Sequence, residues 1–209
     1  SGSVLAFLPG VAAIKRVAER MSELPDNVEV CPLYGQLSFA QQQAAIQPAP
    51  NGKRKVVLAT NIAETSLTIE GIRLVVDAGL ERVAKFDLKS GVTKLDQSRI
   101  AQSSAEQRAG RAGRIEPGIC LRLYSESQLN QQPEVPSAEI LHSDLAALTL
   151  ELAQWGATDA TELKWLDIPP QSSLNQSRRL LNKLGLLDDK HQLTEHGRLA
   201  SELLSLIHI

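Results

Sequence analysis

Short apolar runs rich in β-branched residues, at 4–8, 28–34, 56–60, 74–77 and 119–124, alternate with amphipathic segments as far as Tyr124, and each run reads as a strand. Between the first two, Val11, Ile14, Val17, Ala18 and Met21 recur at helical spacing behind a Pro9-Gly10 start. Strand and helix in alternation predict an α/β layer built on a largely parallel sheet. In such a sheet, function gathers at the carboxyl ends of the strands. One segment breaks the rhythm: 82–87 and 92–97 are two strand-like runs joined by a turn at 88–91, which predicts a β-hairpin. Its many charges make it a poor core element and a candidate protrusion.

The pattern changes after Tyr124. Residues 125–137 are rich in Ser, Gln, Asn, Pro and Glu and read as a linker or irregular connection. Helical stripes follow: Leu145, Leu148, Leu152 and Trp155 ending at Gly156, then Leu174, Leu180, Leu181 and Leu184 ending at Gly185. Leu186-Leu187, a polar turn at 188–192 and Leu193 form a small wing, and Thr194 caps a last helix. Helices followed by a wing suggest a winged-helix domain. Trp155 and Trp165 read as core anchors of that domain. The closing Ile207-His208-Ile209 carries no helix stop signal, which implies truncation.

Composition changes this picture little. The chain has 209 residues, 43% of them hydrophobic, with 22 Lys and Arg against 24 Asp and Glu. It suits one large domain or two small ones with real cores. The overall charge gives no sign of nucleic acid, but from Arg82 to Arg122 nine basic residues face four acidic ones. Such an excess is equally the mark of an ordinary solvated basic surface. Cys31 and Cys120 lie far apart inside apolar runs and read as reduced, buried thiols of a cytoplasmic protein. His142, His191, His196 and His208 lack metal-ligand spacing with them, so no metal site is expected. There is no long apolar span and no secretory leader, so no membrane partner is expected.

Two strings carry candidate chemistry. In QRAGRAGR, 107–114, the preceding Ser104 and Gln107 fit a capping box that would start a helix at Ser104. Gln107, Arg111 and Arg114 would then share one face. Glycine at 110 and 113 costs such a helix roughly 1 kcal/mol each relative to alanine, so close approach of a backbone or ligand must require it. Neighbouring guanidiniums repel unless an anion lies between them, and their planar forks suit phosphate oxygens. In phosphoryl transfer the arginines would offset charge while the glutamine orients the attacking water. A surface helix with ordinary salt bridges is the competing reading. In ATNIAETSLTI, 59–69, a strand runs into short hydroxyl and amide side chains placed to bind a sugar–phosphate backbone. Alone, it would more simply be a turn satisfying its own backbone.

Together, TNIAETSLTI and QRAGRAGR resemble motifs V and VI of the DEAH-box helicases of superfamily 2. VLAFLPG, at 4–10, is similar to motif IV, and GLERVAKFDLKSGVTKL, at 79–95, to the family's β-hairpin. EILHSDLAALTLELAQWG and LLDDKHQLTEHGRLA resemble its winged-helix domain. The wording of IEPGICLRLY and IEGIRLVVDAGLERV is similar to the bacterial HrpB branch. The resemblance implies an α/β, RecA-like (P-loop NTPase-type) domain over 1–125 with the hairpin inserted. A connection at 126–140, a winged helix at 141–198 and the start of a further helical domain at 199–209 would follow.

It further implies the second RecA-like domain of an ATP-dependent RNA helicase. Arg111 and Arg114 would be fingers on ATP held, with Mg2+, mainly by a first RecA-like domain of the same parent protein, and Gln107 would place the water. Ser66 would sense nucleotide state, and Thr68 and Glu70 would lie near the nucleotide. Gly10, Thr60 and Asn61 would meet single-stranded RNA. Departures from the family pattern stand at Pro9, where threonine is common, Ala13, Glu70 and Ile46. Neither a G-x-x-x-x-G-K-[ST] loop nor a DEAH string is present, so the chain alone should not hydrolyse ATP. A non-hydrolysing nucleic-acid-binding module is the alternative.

Overall fold

The computed structural model describes residues 2–50, 52–65, 67–114, 117–157 and 159–207. The chain divides into two compact units, residues 1–83 with 96–136 and residues 84–95 with 137–209.

In the first unit, β1 (Ser3–Phe7), β2 (Val28–Leu33), β3 (Arg54–Ala59), β4 (Ile72–Asp77) and a later strand at Ile119–Arg122 form one parallel sheet. Helices α1 (Val11–Arg20) and α2 (Phe39–Ile46) lie between the first three strands in sequence. The spatial order is β2, β3, β1, β4 and the Ile119–Arg122 strand. Successive side chains on a strand point to opposite faces, and here both faces are covered. Leu5, Phe7, Leu33, Val57, Ala59 and Val75 build one core with Ala45 of α2. Val4, Ala6, Val28, Val30, Val56 and Leu58 build the other, against Ile14, Val17, Ala18 and Met21 of α1. The helical stripe read from the sequence is therefore the one that packs.

Strands β5 (Leu80–Asp87) and β6 (Val92–Arg99) pair as the two-stranded hairpin, and β6 is exposed along nearly its whole length. At its turn the Asp87 carboxylate accepts hydrogen bonds from the Lys89 backbone N–H, the Ser90 hydroxyl and the Lys94 ammonium. These donors hold its pKa well below the usual carboxylate range.

Helix α3 (Gln102–Ala109) follows, then β7, the Ile119–Arg122 strand, and α4 (Glu126–Asn130). Two expectations fail together here. The helix starts at Gln102 rather than Ser104; Ser104 is buried and Ala101 stands at the cap with no side-chain bond. Its first N–H groups are instead taken by the Pro133 and Glu134 carbonyls, and the Gln102 side chain donates to the Gln132 carbonyl. The supposed linker thus caps α3. It also contains α4, which has its own Ser125–Gln128 capping box and buries Leu129 against Ile100 and Ala105.

The second unit contains α5 (Ala146–Gln154), α6 (Gln171–Lys183) and α7 (Glu195–Ile207). Between α6 and α7, Leu187 and Leu193 pair antiparallel, and the Thr194 hydroxyl accepts from the Gly197 N–H at the start of α7. This is the helix, wing and helix order expected. The hairpin tip joins this unit through Phe86 N–H donating to the His142 carbonyl and the Gln176 side chain donating to the Leu88 carbonyl. Leu145, Leu152 and Leu174 form one core with Trp165, while Leu150, Leu181 and Leu187 form another. Trp165 also donates its indole N–H to the Ala160 carbonyl. The other expected anchors are corrections: Trp155 is 76% exposed, and Leu180 and Leu184 also face solvent. Trp155 is the C-cap of α5, where the chain turns through Gly156 at φ 78 and the helical face no longer applies.

Candidate functional site

The strands β1 and β3 are parallel neighbours, so their carboxyl ends emerge side by side. Gly10 follows the first and Thr60 the second, and the Leu8 N–H donates to the Ala59 carbonyl between them. Gly10 starts α1, its carbonyl accepting from the Ala13 and Ile14 N–H groups. A side chain there would crowd Arg82, whose Cδ lies 3.2 Å from the position of an added Cβ. Asn61 opens a short 3-10 turn, Asn61–Ala63, and is exposed. Sequence-predicted Gly10, Thr60 and Asn61 therefore gather at the carboxyl end of two interior strands of the sheet.

The loop then runs through Glu64 to Thr68 and Glu70 before β4, with Ser66 outside the described residues. Thr68 and Glu70 are exposed. Against this loop comes the end of α3. The helix stops at Ala109, and residues 110–113 continue as turns, so helical spacing does not place Gln107, Arg111 and Arg114 on one face as expected. Gln107 is exposed on α3, Arg111 is 7% exposed and Arg114 is exposed beyond the turns. Gly113 has φ 90, a left-handed conformation, and Gly118 lies against it: an added Cβ there would sit 2.6 Å from the Gly113 nitrogen. Gly110 has an ordinary helical φ of −64.

Arg111 donates to the Glu64 and Leu67 carbonyls, and Arg114 Nη1 donates to the Thr68 hydroxyl at 3.2 Å. Burial, then the neighbouring Arg114 charge, lower the pKa of Arg111, while Glu64 opposes them. Two cations thus lie together beside the exposed Thr68 hydroxyl. Such a set suits the oxygens of a phosphate, whereas among the described residues no group of three or more His, Cys, Asp or Glu is placed to hold a metal ion.

The arginine that sequence reasoning passed over is Arg108. It is 1% exposed and reaches Asp77 at 3.0 Å and Glu64 at 3.0 Å, with its guanidinium 4.9 Å from the centre of the Phe7 ring. Asp77, fully buried, also accepts from the Gly79 N–H at 2.9 Å and the Tyr124 hydroxyl at 2.7 Å. Within QRAGRAGR nothing separates a buried arginine from an exposed one. The available signal was Asp77, an acid closing an otherwise apolar strand, which needs a partner.

Residues 1–116 match the family described as the helicase conserved C-terminal domain. The chain is 52% identical over 202 residues to the ATP-dependent RNA helicase HrpB of Escherichia coli, covering 96% of the chain and 25% of that protein. It is 39% identical over 205 residues to the human probable ATP-dependent RNA helicase DHX34, covering 97% of the chain and 18% of that protein. A crystal structure of the E. coli DEAH/RHA helicase HrpB superposes with a TM-score of 0.89 at 54% identity, over 94% of this chain and 25% of that one. The chain therefore spans a quarter or less of these proteins' lengths.

Proposed function

The chain belongs to the helicase conserved C-terminal domain family, in its DEAH-box branch, and from that premise we propose that it is the part of an ATP-dependent RNA helicase that completes the ATP site and grips the RNA backbone. The observation that carries the reading is the pairing of Arg111 and Arg114 beside Thr68, next to a loop that begins at Thr60 and Asn61. ATP and Mg2+ are held mainly by a preceding RecA-like domain, which with single-stranded RNA is the partner implied. Bound there, Mg2+ would screen phosphate charge. We place the protein in the cytoplasm; among the described residues no helix is long and apolar enough to cross a membrane.

Domain closure brings the guanidiniums onto the terminal phosphates. Arg114 is exposed and, among the described residues, gives up one hydroxyl contact; Arg111 exchanges the Glu64 and Leu67 carbonyls for phosphate oxygens. Gln107 orients the attacking water, Ser66 reports nucleotide state, and Glu70 and Thr68 lie near the nucleotide. Gly10, Thr60 and Asn61 hold the RNA backbone, Gly10 through its main chain.

In the full-length protein, Arg114→Ala should lower the turnover of ATP by about a thousandfold, the usual scale of an arginine finger, and leave RNA affinity within a few fold. RNA affinity that collapsed while hydrolysis survived would instead make the chain a non-hydrolysing nucleic-acid-binding module.

A further inference from the structure

Arg108 lies between two carboxylates that belong to different parts of the first unit. Asp77 closes β4 and is fastened to the sheet by Gly79 and Tyr124. Glu64 belongs to the loop between β3 and β4, and its side chain is 12% exposed. The guanidinium spans them, Nη1 on Asp77 and the Leu80 carbonyl, Nε on Glu64. Asp77 alone would neutralise the arginine. A second buried pair adds little to stability, since ion pairs taken out of water roughly break even against apolar packing.

Glu64 is held twice from the same short segment: Arg108 takes its carboxylate and Arg111 its carbonyl. On its other side, the Glu64 N–H donates to the Asn61 carbonyl. A chain of contacts therefore runs from Asn61 through Glu64 to the end of α3, and from there to Arg111 and Arg114. Charge-assisted bonds from a planar fork make the central link stiff and directional.

We propose that Arg108 is a positioning residue that clamps the 60–70 loop to the end of α3 through Glu64, so that RNA engaged at the loop sets the posture of the arginines that meet ATP. The inference rests on the proposed function and goes beyond it. At 1% exposure Arg108 touches neither ligand, so its effect passes through Glu64 and the loop.

The test uses the full-length protein that carries this chain, with ATP hydrolysis measured with and without a homopolymeric single-stranded RNA. Glu64→Ala leaves Arg108 its Asp77 partner and removes the side-chain clamp, while the Arg111 bonds to the loop carbonyls remain. RNA-stimulated kcat should fall by about tenfold or more, the usual size of a coupling between two sites, while the KM for ATP stays within about threefold, as expected when binding is untouched. Glu64→Gln, whose amide oxygen can still accept from Nε, should recover most of the stimulation. Should Glu64→Ala fail to fold, Arg108→Lys, which keeps a charge beside Asp77 but loses the fork, should show the same split. Undiminished RNA stimulation in Glu64→Ala overturns the inference alone. So does an equal loss of stimulated and unstimulated hydrolysis with a lowered Tm in both Glu64 variants, which would make the clamp mere scaffolding. A wild-type protein whose hydrolysis ignores RNA overturns the proposed function together with the inference.

Discussion

Replacing Arg108 with methionine removes a buried positive charge while keeping most of the side chain's length. What remains is unequal on the two sides. Asp77, fully buried, keeps the Gly79 N–H and Tyr124 hydroxyl donors but loses its cation, whereas Glu64, at 12% exposure, can turn toward water. Breaking a buried pair by removing one partner costs about 3–5 kcal/mol. The donors left on Asp77 argue for the lower half of that range. Against the 5–15 kcal/mol that typically holds a domain together, roughly, such a loss is a large fraction. Removing the acid as well, in Arg108→Met/Asp77→Leu, should restore part of it, because the orphaned carboxylate is gone. Trp155 and Trp165 both belong to the second unit, so indole fluorescence would miss the event. Native-state hydrogen exchange of the β1, β3 and β4 amides reports the first unit directly. Loss of less than about 1 kcal/mol in Arg108→Met, the worth of one ordinary hydrogen bond, would refute the buried-network account.

Two further outcomes follow from neighbouring groups. Burial first, then the hydrogen bond and charge of Asp77, raise the pKa of the Tyr124 hydroxyl. A folded pKa above the unfolded value, about 10 for tyrosine, means that the folded state keeps its proton while the unfolded chain releases one, so stability should fall as pH rises past that point. Urea titrations of wild type and Tyr124→Phe across that range should show a weaker decline in the variant; identical slopes would refute the assignment. Gly113 holds φ 90, and Gly113→Ala should cost about 1 kcal/mol or more, because alanine must enter a left-handed conformation. Urea denaturation followed by far-UV circular dichroism checks this, and an unchanged midpoint would mean that the turn after α3 can relax.

The parts of this fold that were legible in sequence are those whose cause is local. Alternating apolar runs gave the parallel strands, because a central strand buries both faces, as β3 does with Val56, Val57, Leu58 and Ala59. The stripe of α1 and the polar turns of the hairpin and wing were equally local. The parts that failed depend on a distant partner. The start of α3 could not be read, since its cap is the main chain of Pro133 and Glu134, about thirty residues further on and carrying no side-chain signal. Trp155 looked like a core residue because apolar spacing counted it with the stripe, although as the C-cap before Gly156 it has already left the packed face.

The same distinction explains the candidate site. Residue types and spacing were enough to single out Gln107, Arg111 and Arg114, yet the structure gives three arginines of one repeat three different surroundings. Arg108 is enclosed by Asp77, Glu64 and Phe7, Arg111 faces two loop carbonyls, and Arg114 meets a hydroxyl at the surface. The gradient from buried to exposed follows the chain as α3 ends and unwinds. It also orders the functions open to each: a group near water can meet an incoming phosphate in exchange for one exposed hydroxyl contact, and an enclosed one can hold the loop while that happens. A substitution series along the three should therefore lose stability most at Arg108, together with RNA-stimulated turnover, and turnover with little stability at Arg114, with Arg111 between them.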